Sequence, residues 1–110
     1  MVVEDDPMII RLVTHMLEGE EGIDVTQGGG DAAALMHESV WGGVDVALVD
    51  LLLPHTTGDA LLAWLGEHAP HVRRIAMSGS GPLRLEEAVQ ADVRLLKPFM
   101  LDDLIAALRG

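Results

Sequence analysis

The chain has 110 residues, the size of one ordinary domain and too few for two. Seven Lys and Arg against 18 Asp and Glu give a formal net charge of −11, which argues against nucleic acid or an anionic membrane as a direct partner. There is no cysteine, which excludes disulfides and thiolate metal sites, and no apolar run approaches the ~20 residues of a membrane helix. We therefore expect a single domain over residues 1–110, located in the cytoplasm.

Short apolar runs alternate with longer stretches of helical spacing. After a short first strand at Val2-Val3, Asp6 is placed to cap a helix, Pro7 suits its first turn and Gly19 is placed to end it. Four more strands are predicted at Ile23–Val25, Val44–Val49, Val72–Met77 and Val93–Leu96. Four more helices are predicted at Ala32–Val40, Ala60–His68, Leu83–Gln90 and Leu101–Leu108. This alternation predicts an α/β domain with a parallel sheet and helices on both of its faces.

Acidic residues follow two of the predicted strands. Glu4 and Asp5 come after the first strand, and Asp50 comes after the third. If these strands are neighbours, the acids converge at the carboxyl edge of the sheet, where open parallel sheets bind ligands. Two carboxylates ~5 Å apart repel by roughly 3 kcal/mol at an effective dielectric constant of ~20, so such a cluster needs a cation or a raised pKa. All-oxygen ligands favour Mg²⁺, although separate, solvated loop acids would give the same pattern.

Two further polar residues end the later strands. Ser78 and Gly79 follow the fourth strand, and Lys97, the only lysine in the chain, follows the fifth. A lysine beside an acidic pocket can contact a phosphoryl oxygen, and a serine hydroxyl can donate a hydrogen bond to the same oxygen. Taken singly, the lysine is also typical of a surface residue and Ser-Gly of a turn. Their placement at matching strand ends favours one shared site.

Together these motifs resemble those of response-regulator receiver domains, in order and in spacing, over nearly the whole chain. The matching segments are Val2–Pro7, Val44–Pro54, Gly58, Ile75–Gly79 and Leu95–Phe99. The resemblance implies one receiver domain over residues 1–110, with a doubly wound, five-stranded parallel sheet of flavodoxin-like order 2-1-3-4-5 and helices on both faces.

The resemblance also implies the chemistry of the site. Asp50 resembles the phosphoacceptor, which attacks a phosphohistidine of a sensor histidine kinase or phosphotransfer protein to form an aspartyl phosphate. Asp5, Asp50 and the backbone carbonyl of Leu52 resemble the protein ligands of Mg²⁺, for which Mn²⁺ could substitute. Glu4 resembles an acid that assists through water.

Other residues resemble parts of the phosphoryl pocket and its switch. Ser78 resembles the hydroxyl that moves to meet the phosphoryl group, and Lys97 the lysine that pairs with it. Pro98 matches a proline whose preceding peptide bond is usually cis in this family. Three residues match positions that flank the pocket and tune it: Leu52, Gly79 and Ser80. Phosphorylation is then expected to repack the face formed by the fourth helix, the fifth strand and the fifth helix.

One departure concerns the residue three positions before the lysine, which in receivers is usually aromatic. Here it is Arg94, which we expect to stay outside or to pair with acids on a partner. Partners implied by the resemblance also include an output domain or a target protein.

Two other functions fit parts of the pattern. A phosphohydrolase with an aspartate nucleophile needs a second carboxylate two residues later as general acid, where this chain has Leu52. We therefore expect no enzyme activity beyond the domain's own phosphorylation and dephosphorylation. The alternative is a degenerate receiver that binds a partner without phosphorylation, which Arg94 favours and the otherwise complete pocket disfavours.

Overall fold

The computed structural model describes residues 1–53, 57–79 and 90–109. Five strands are present in this part of the chain: β1 (Val2–Val3), β2 (Gln27–Gly29), β3 (Val46–Asp50), β4 (Arg73–Ser78) and β5 (Val93–Leu96). They form one parallel sheet in the order β2-β1-β3-β4-β5, as predicted. The helices described are α1 (Pro7–Leu17), α2 (Glu38–Trp41), α3 (Gly58–His68) and α4 (Leu101–Arg109), with a 3₁₀ turn at Ala33–Leu35. In the same ranges no helix has the length and apolar character needed to cross a membrane.

Helix α1 begins and ends as its sequence predicts. The side chain of Asp6 accepts a hydrogen bond from the Met8 N–H at 2.9 Å, and Pro7 occupies the first helical position. At the other end the Glu18 N–H donates to the Thr14 carbonyl, and Gly19 takes a φ of +83°. Glycine adopts this left-handed conformation without the steric cost of a side chain, so Gly19 lets the chain leave the helix.

Both faces of the sheet are covered by apolar side chains. Neighbouring strand residues point to opposite faces, so Leu48 belongs to one cluster and Val49 to the other. The cluster with Val49 includes buried residues of α2 and α3, such as Trp41 and Leu61, while the cluster with Leu48 includes residues of α1 and α4. Burial on both faces explains why these strands read as continuous apolar runs.

The second strand is the clearest correction to the predicted elements. It was expected at Ile23–Val25 but lies at Gln27–Gly29. Ile23 and Val25 are partly buried against the α1 and α4 side of the core, which accounts for their apolar character. They form no ladder because Gln27 is already paired with Val2, so residues before Gln27 run beyond the start of β1.

The predicted helix Ala32–Val40 is wrong as a single element. The chain forms the 3₁₀ turn, then extends at His37 (φ −138°, ψ 126°) before α2 begins. The indole Nε1 of Trp41 donates a 2.7 Å hydrogen bond to the Leu35 carbonyl. In a continuous helix a backbone N–H would donate to this carbonyl instead. The predicted helix Leu83–Gln90, except for Gln90, lies outside the described residues.

Strands β3 and β4 end one residue later than predicted. They were expected to end at Val49 and Met77, whereas Asp50 and Ser78 are the last residues of the observed strands. Strand β5 has the predicted bounds. Asp50 and Ser78 are therefore fixed by sheet hydrogen bonding rather than by loops, which limits how far their backbone can move.

Replacing Trp41 with Phe is expected to lower the free energy of unfolding by about 1–3 kcal/mol, because the buried Leu35 carbonyl loses its donor. The matched control is Trp64→Phe, since Trp64 is only partly buried and stacks on His68. Urea denaturation followed by circular dichroism measures both variants. An equal loss in the two would contradict the role assigned to the indole hydrogen bond.

Candidate functional site

Polar side chains are buried at one edge of the sheet. Among the described residues the polar or charged side chains classed as buried are Glu4, Asp50 and Ser78, which are 1%, 4% and 0% exposed. All three lie at the carboxyl ends of β1, β3 and β4, where the predicted site was placed. Burial of charged groups is costly unless they are paired, so these residues require compensating contacts.

Backbone hydrogen bonds fix both the carboxylate of Asp50 and the chain that follows it. Its carboxylate Oδ1 accepts a hydrogen bond from the Leu52 N–H at 3.1 Å, and the next residue, Leu51, donates its N–H to Met77 in β4 at 3.0 Å. The Gly58 N–H at the start of α3 donates to the Leu51 carbonyl at 3.2 Å. A methyl group on Gly58 would overlap the carbonyl oxygen of Asp50, so glycine is required where the helix approaches the strand end.

Lys97 joins two of the acids. Its Nζ lies 3.2 Å from Glu4 Oε2 and 3.3 Å from Asp50 Oδ2, and its side chain is 17% exposed. The Lys97 N–H donates to the Ser78 carbonyl, and a Cβ on Gly79 would lie in ordinary contact with the lysine side chain. The Lys97–Pro98 peptide bond is cis. The ion pair with Glu4 was not anticipated from the sequence, although a single lysine facing convergent acids is the signal that points to it.

Glu4, Asp5 and Asp50 form what we call the acid cluster. One carboxylate oxygen from each lies within 4.8 Å of the others. Glu4 and Asp50 are buried, whereas Asp5 is exposed to solvent. Three carboxylates with one open side suit a hard divalent cation such as Mg²⁺, which takes a few protein oxygens and retains water.

The acid cluster perturbs one of its own members. Burial, together with the hydrogen bond and negative charge of Asp50, raises the pKa of Glu4 from 4.5 to about 7, while Lys97 acts in the opposite direction. Glu4 thus exchanges a proton near neutral pH when no cation is present. A divalent cation would favour the ionised form.

The remaining predicted residues surround this centre. Leu52 lies two residues after Asp50 and is 46% exposed. Arg94 is exposed on β5, where it is paired with Ala76. Ser80 lies outside the described residues. The structure therefore brings together Glu4, Asp5, Asp50, Ser78 and Lys97. Arg94 lies outside this group, exposed on β5.

Both the sequence and the structure match known proteins. The family model described as "Response regulator receiver domain" matches residues 1–109. A CheY-like response regulator receiver domain protein from Methanospirillum hungatei JF-1 has a TM-score of 0.79 and 25% identity, covering 98% of this chain and 87% of that one. The Francisella response regulator 1452 receiver domain has a TM-score of 0.81 and 27% identity, covering 98% and 90%.

A third similar structure belongs to a larger protein. It is RcsB from Salmonella enterica serovar Typhimurium, bound to promoter rprA in the presence of the phosphomimetic BeF₃⁻, with a TM-score of 0.81 and 23% identity. The match covers 98% of this chain but 64% of that protein, and at this identity it shows the fold alone. The comparison with curated proteins finds no match.

The raised pKa of Glu4 predicts a pH dependence of stability. Because the folded-state pKa of about 7 exceeds the ordinary value of 4.5, the contribution of Glu4 is fully present below pH 4.5 and is lost as the pH rises through 7. In chelator-treated protein, the stability of the wild type relative to Glu4→Gln should fall between pH 5 and pH 8. Urea unfolding of both proteins at the two pH values measures this difference. A difference that grows with pH would show that Lys97 outweighs burial.

Gly58→Ala is expected to destabilise the domain by about 1–3 kcal/mol, because the added methyl must displace the backbone of Asp50 or the start of α3. Gly42→Ala is the matched control, since its surroundings are open and its φ of −55° suits alanine. Thermal and urea unfolding compare the two variants. Equal stability of both would argue against the close approach at Gly58.

Proposed function

This chain belongs to the response-regulator receiver family, and from that membership we propose that it accepts a phosphoryl group on Asp50. The donor would be a sensor histidine kinase or a phosphotransfer protein. One observation carries the proposal: Asp50 ends β3, is almost fully buried, and its carboxylate contacts Lys97 Nζ within the acid cluster.

The proposed reaction is a displacement at phosphorus. A carboxylate oxygen of Asp50 forms a P–O bond while the P–N bond to the donor imidazole breaks, and the bonding electrons stay on the imidazole nitrogen. Phosphoryl transfer needs mainly positioning and neutralisation of charge on the transferred group. Lys97 can supply one positive charge because its Nζ already lies 3.3 Å from Asp50 Oδ2. The backbone N–H of Leu52 holds the other carboxylate oxygen in place.

The acid cluster fits a magnesium ion through its oxygen donors and its open side. Asp5, Asp50 and the backbone carbonyl of Leu52 would hold Mg²⁺ or Mn²⁺, with Glu4 acting through water. When bound, the ion would offset negative charge on the transferred phosphoryl group. Lys97 would then keep its contact with Glu4 and so orient its ammonium toward the same oxygens.

Phosphorylation would add a charge of roughly −1.5 to −2 to a buried acidic pocket. Ser78 ends β4 at the pocket, and we propose that its hydroxyl moves to meet the phosphoryl group. The face formed by the predicted helix Leu83–Gln90, by β5 and by α4 would repack in response. Arg94 lies exposed on β5 where most receivers carry an aromatic ring, so this readout would proceed without ring burial.

Arg94 also favours a second candidate function. In a degenerate receiver the domain would bind its partner constitutively, and the pocket would be retained only for structure. In both candidate functions a partner protein binds the surface of this domain, and neither requires enzyme activity toward a separate substrate.

For partners we propose a kinase or phosphotransfer protein and an output domain or target protein. RcsB was solved bound to a promoter, but this chain covers only part of that protein. A net charge of −11 disfavours direct contact of this domain with DNA. We propose the cytoplasm as its location, where a kinase domain could reach it.

Incubation with acetyl phosphate and Mg²⁺ is expected to add one phosphate-sized mass to the wild-type protein. Asp50→Asn should abolish this gain because an amide is a poor nucleophile, whereas Asp24→Asn, an exposed acid outside the acid cluster, should retain it. Intact-mass spectrometry at neutral pH, with and without chelator, measures the gain.

The controls separate the two candidate functions. A mass gain that persists in Asp50→Asn would show that a residue other than Asp50 is phosphorylated. No gain from acetyl phosphate or from a histidine-phosphorylated donor, in protein shown by circular dichroism to be folded, would support the constitutive binding module.

A further inference from the structure

We propose that Gly30 is a positioning residue that gives Asp5 the space it occupies in the acid cluster. The inference rests on the proposed function for its consequence in metal binding, but the packing on which it stands is independent of that function. It also gives a role to Gly30 in the run Gly28-Gly29-Gly30, to which the phosphoacceptor chemistry assigns none.

The glycine run begins with an irregularity in strand pairing. Val2 pairs with Gln27, but the next residue, Val3, pairs with Gly29, so β2 contains one residue more than β1 over this step. Gly29 has a φ of +79°, a conformation that favours glycine. Its carbonyl accepts the Glu4 N–H at 3.1 Å. An extra residue of this kind turns the strand and changes the direction of the next residues, and such bulges are common beside functional sites.

The redirected chain brings Gly30 against the backbone of the acid cluster. A Cβ at Gly30 would lie 2.5 Å from Asp5 Cβ and 3.0 Å from Asp5 Cα. Rotation of the Asp5 side chain cannot relieve this overlap, because Cα and Cβ do not move with the side-chain torsions. Any side chain at position 30 therefore requires the backbone of Asp5 or of residue 30 to shift.

Gly28 provides a contrast within the same three residues. A Cβ there would meet Met1 Sδ at 2.9 Å and Leu35 Cδ1 at 3.2 Å, which are atoms of flexible apolar side chains. These neighbours do not belong to the acid cluster. Substitution at Gly28 thus tests the general cost of disturbing this segment, whereas substitution at Gly30 acts on Asp5.

Asp5 is the member of the acid cluster that would be displaced. Glu4 and Asp50 are buried and joined through Lys97, whereas Asp5 is exposed and has solvent to move into. Moving one carboxylate outward removes a ligand oxygen from the group that lies within 4.8 Å. The expected result is weaker cation binding with Asp50 and Lys97 left in place.

The first experiment measures Mg²⁺ affinity by isothermal titration calorimetry. Gly30→Ala should raise the Mg²⁺ dissociation constant roughly 10-fold or more, the range seen when groups that orient metal ligands are changed. Gly28→Ala and Gly43→Ala should show no comparable change; a methyl on Gly43 would meet nothing within 4 Å. A similar loss of affinity in Gly28→Ala would overturn the specific role of Gly30.

The second experiment needs no metal. Gly30→Ala should lower the thermal unfolding midpoint of chelator-treated protein, and this loss should be smaller in an Asp5→Gly background, where the Cβ overlap is removed. Asp5→Gly should give no such rescue to Gly28→Ala. If Gly30→Ala lowers the unfolding midpoint as much in the Asp5→Gly background as in the wild type, the proposal is overturned. Wild-type protein that takes up no Mg²⁺ would contradict the metal part of the proposed function, while the rescue measurement would still decide the role of Gly30.

Discussion

The contact of one lysine with two buried carboxylates is the interaction on which this site depends. Carboxylates within 4.8 Å of one another repel by about 3 kcal/mol per pair at an effective dielectric constant of about 20. The ammonium of Lys97 lies 3.2 Å from Glu4 and 3.3 Å from Asp50, so it compensates both at once. Burial, together with Asp50, raises the pKa of Glu4 despite the contact with Lys97. A further cation in the pocket would therefore stabilise the ionised carboxylates, as a cation-dependent phosphoacceptor requires.

The sheet delivers these groups to one place with little freedom. Glu4 follows β1, Asp50 ends β3 and Lys97 follows β5, and parallel pairing brings all three strand ends to the same edge. The lysine is tied to β4 through its N–H bond to Ser78, and the residue after Asp50 is tied to the same strand through Met77. Displacement of these strand ends relative to one another would break backbone hydrogen bonds. Glycines at positions 30 and 58 complete this arrangement by letting neighbouring segments approach without side chains.

Residues at the carboxyl ends of the later strands were predictable from sequence, because apolar runs in a parallel sheet end where the polar residues begin. Asp50, Ser78 and Lys97 lie where that reasoning placed them. The second strand was not predictable in this way. Hydropathy reports burial, and Ile23 and Val25 are indeed partly buried, but the pairing register that selects Gln27–Gly29 depends on β1. The broken second helix likewise depends on a hydrogen bond from Trp41 to Leu35, which only the folded packing supplies. The contact between Gly30 and Asp5 arises from the bulge and carries no sequence signal beyond the glycine run.

The pairing of β4 with β5 provides a route by which phosphorylation of Asp50 would change the structure of the protein surface. Ser78 pairs with Leu96, and its carbonyl accepts the N–H of Lys97, so any backbone shift of Ser78 that accompanies the movement of its hydroxyl would displace the end of β5. Alternation along β5 buries Leu95 and leaves Arg94 and Leu96 exposed. A shift of this strand would thus change the position of a positive charge and an apolar side chain on one surface. Transmission by strand displacement needs no aromatic ring, which is why an arginine at position 94 is compatible with a receiver that still responds to phosphorylation.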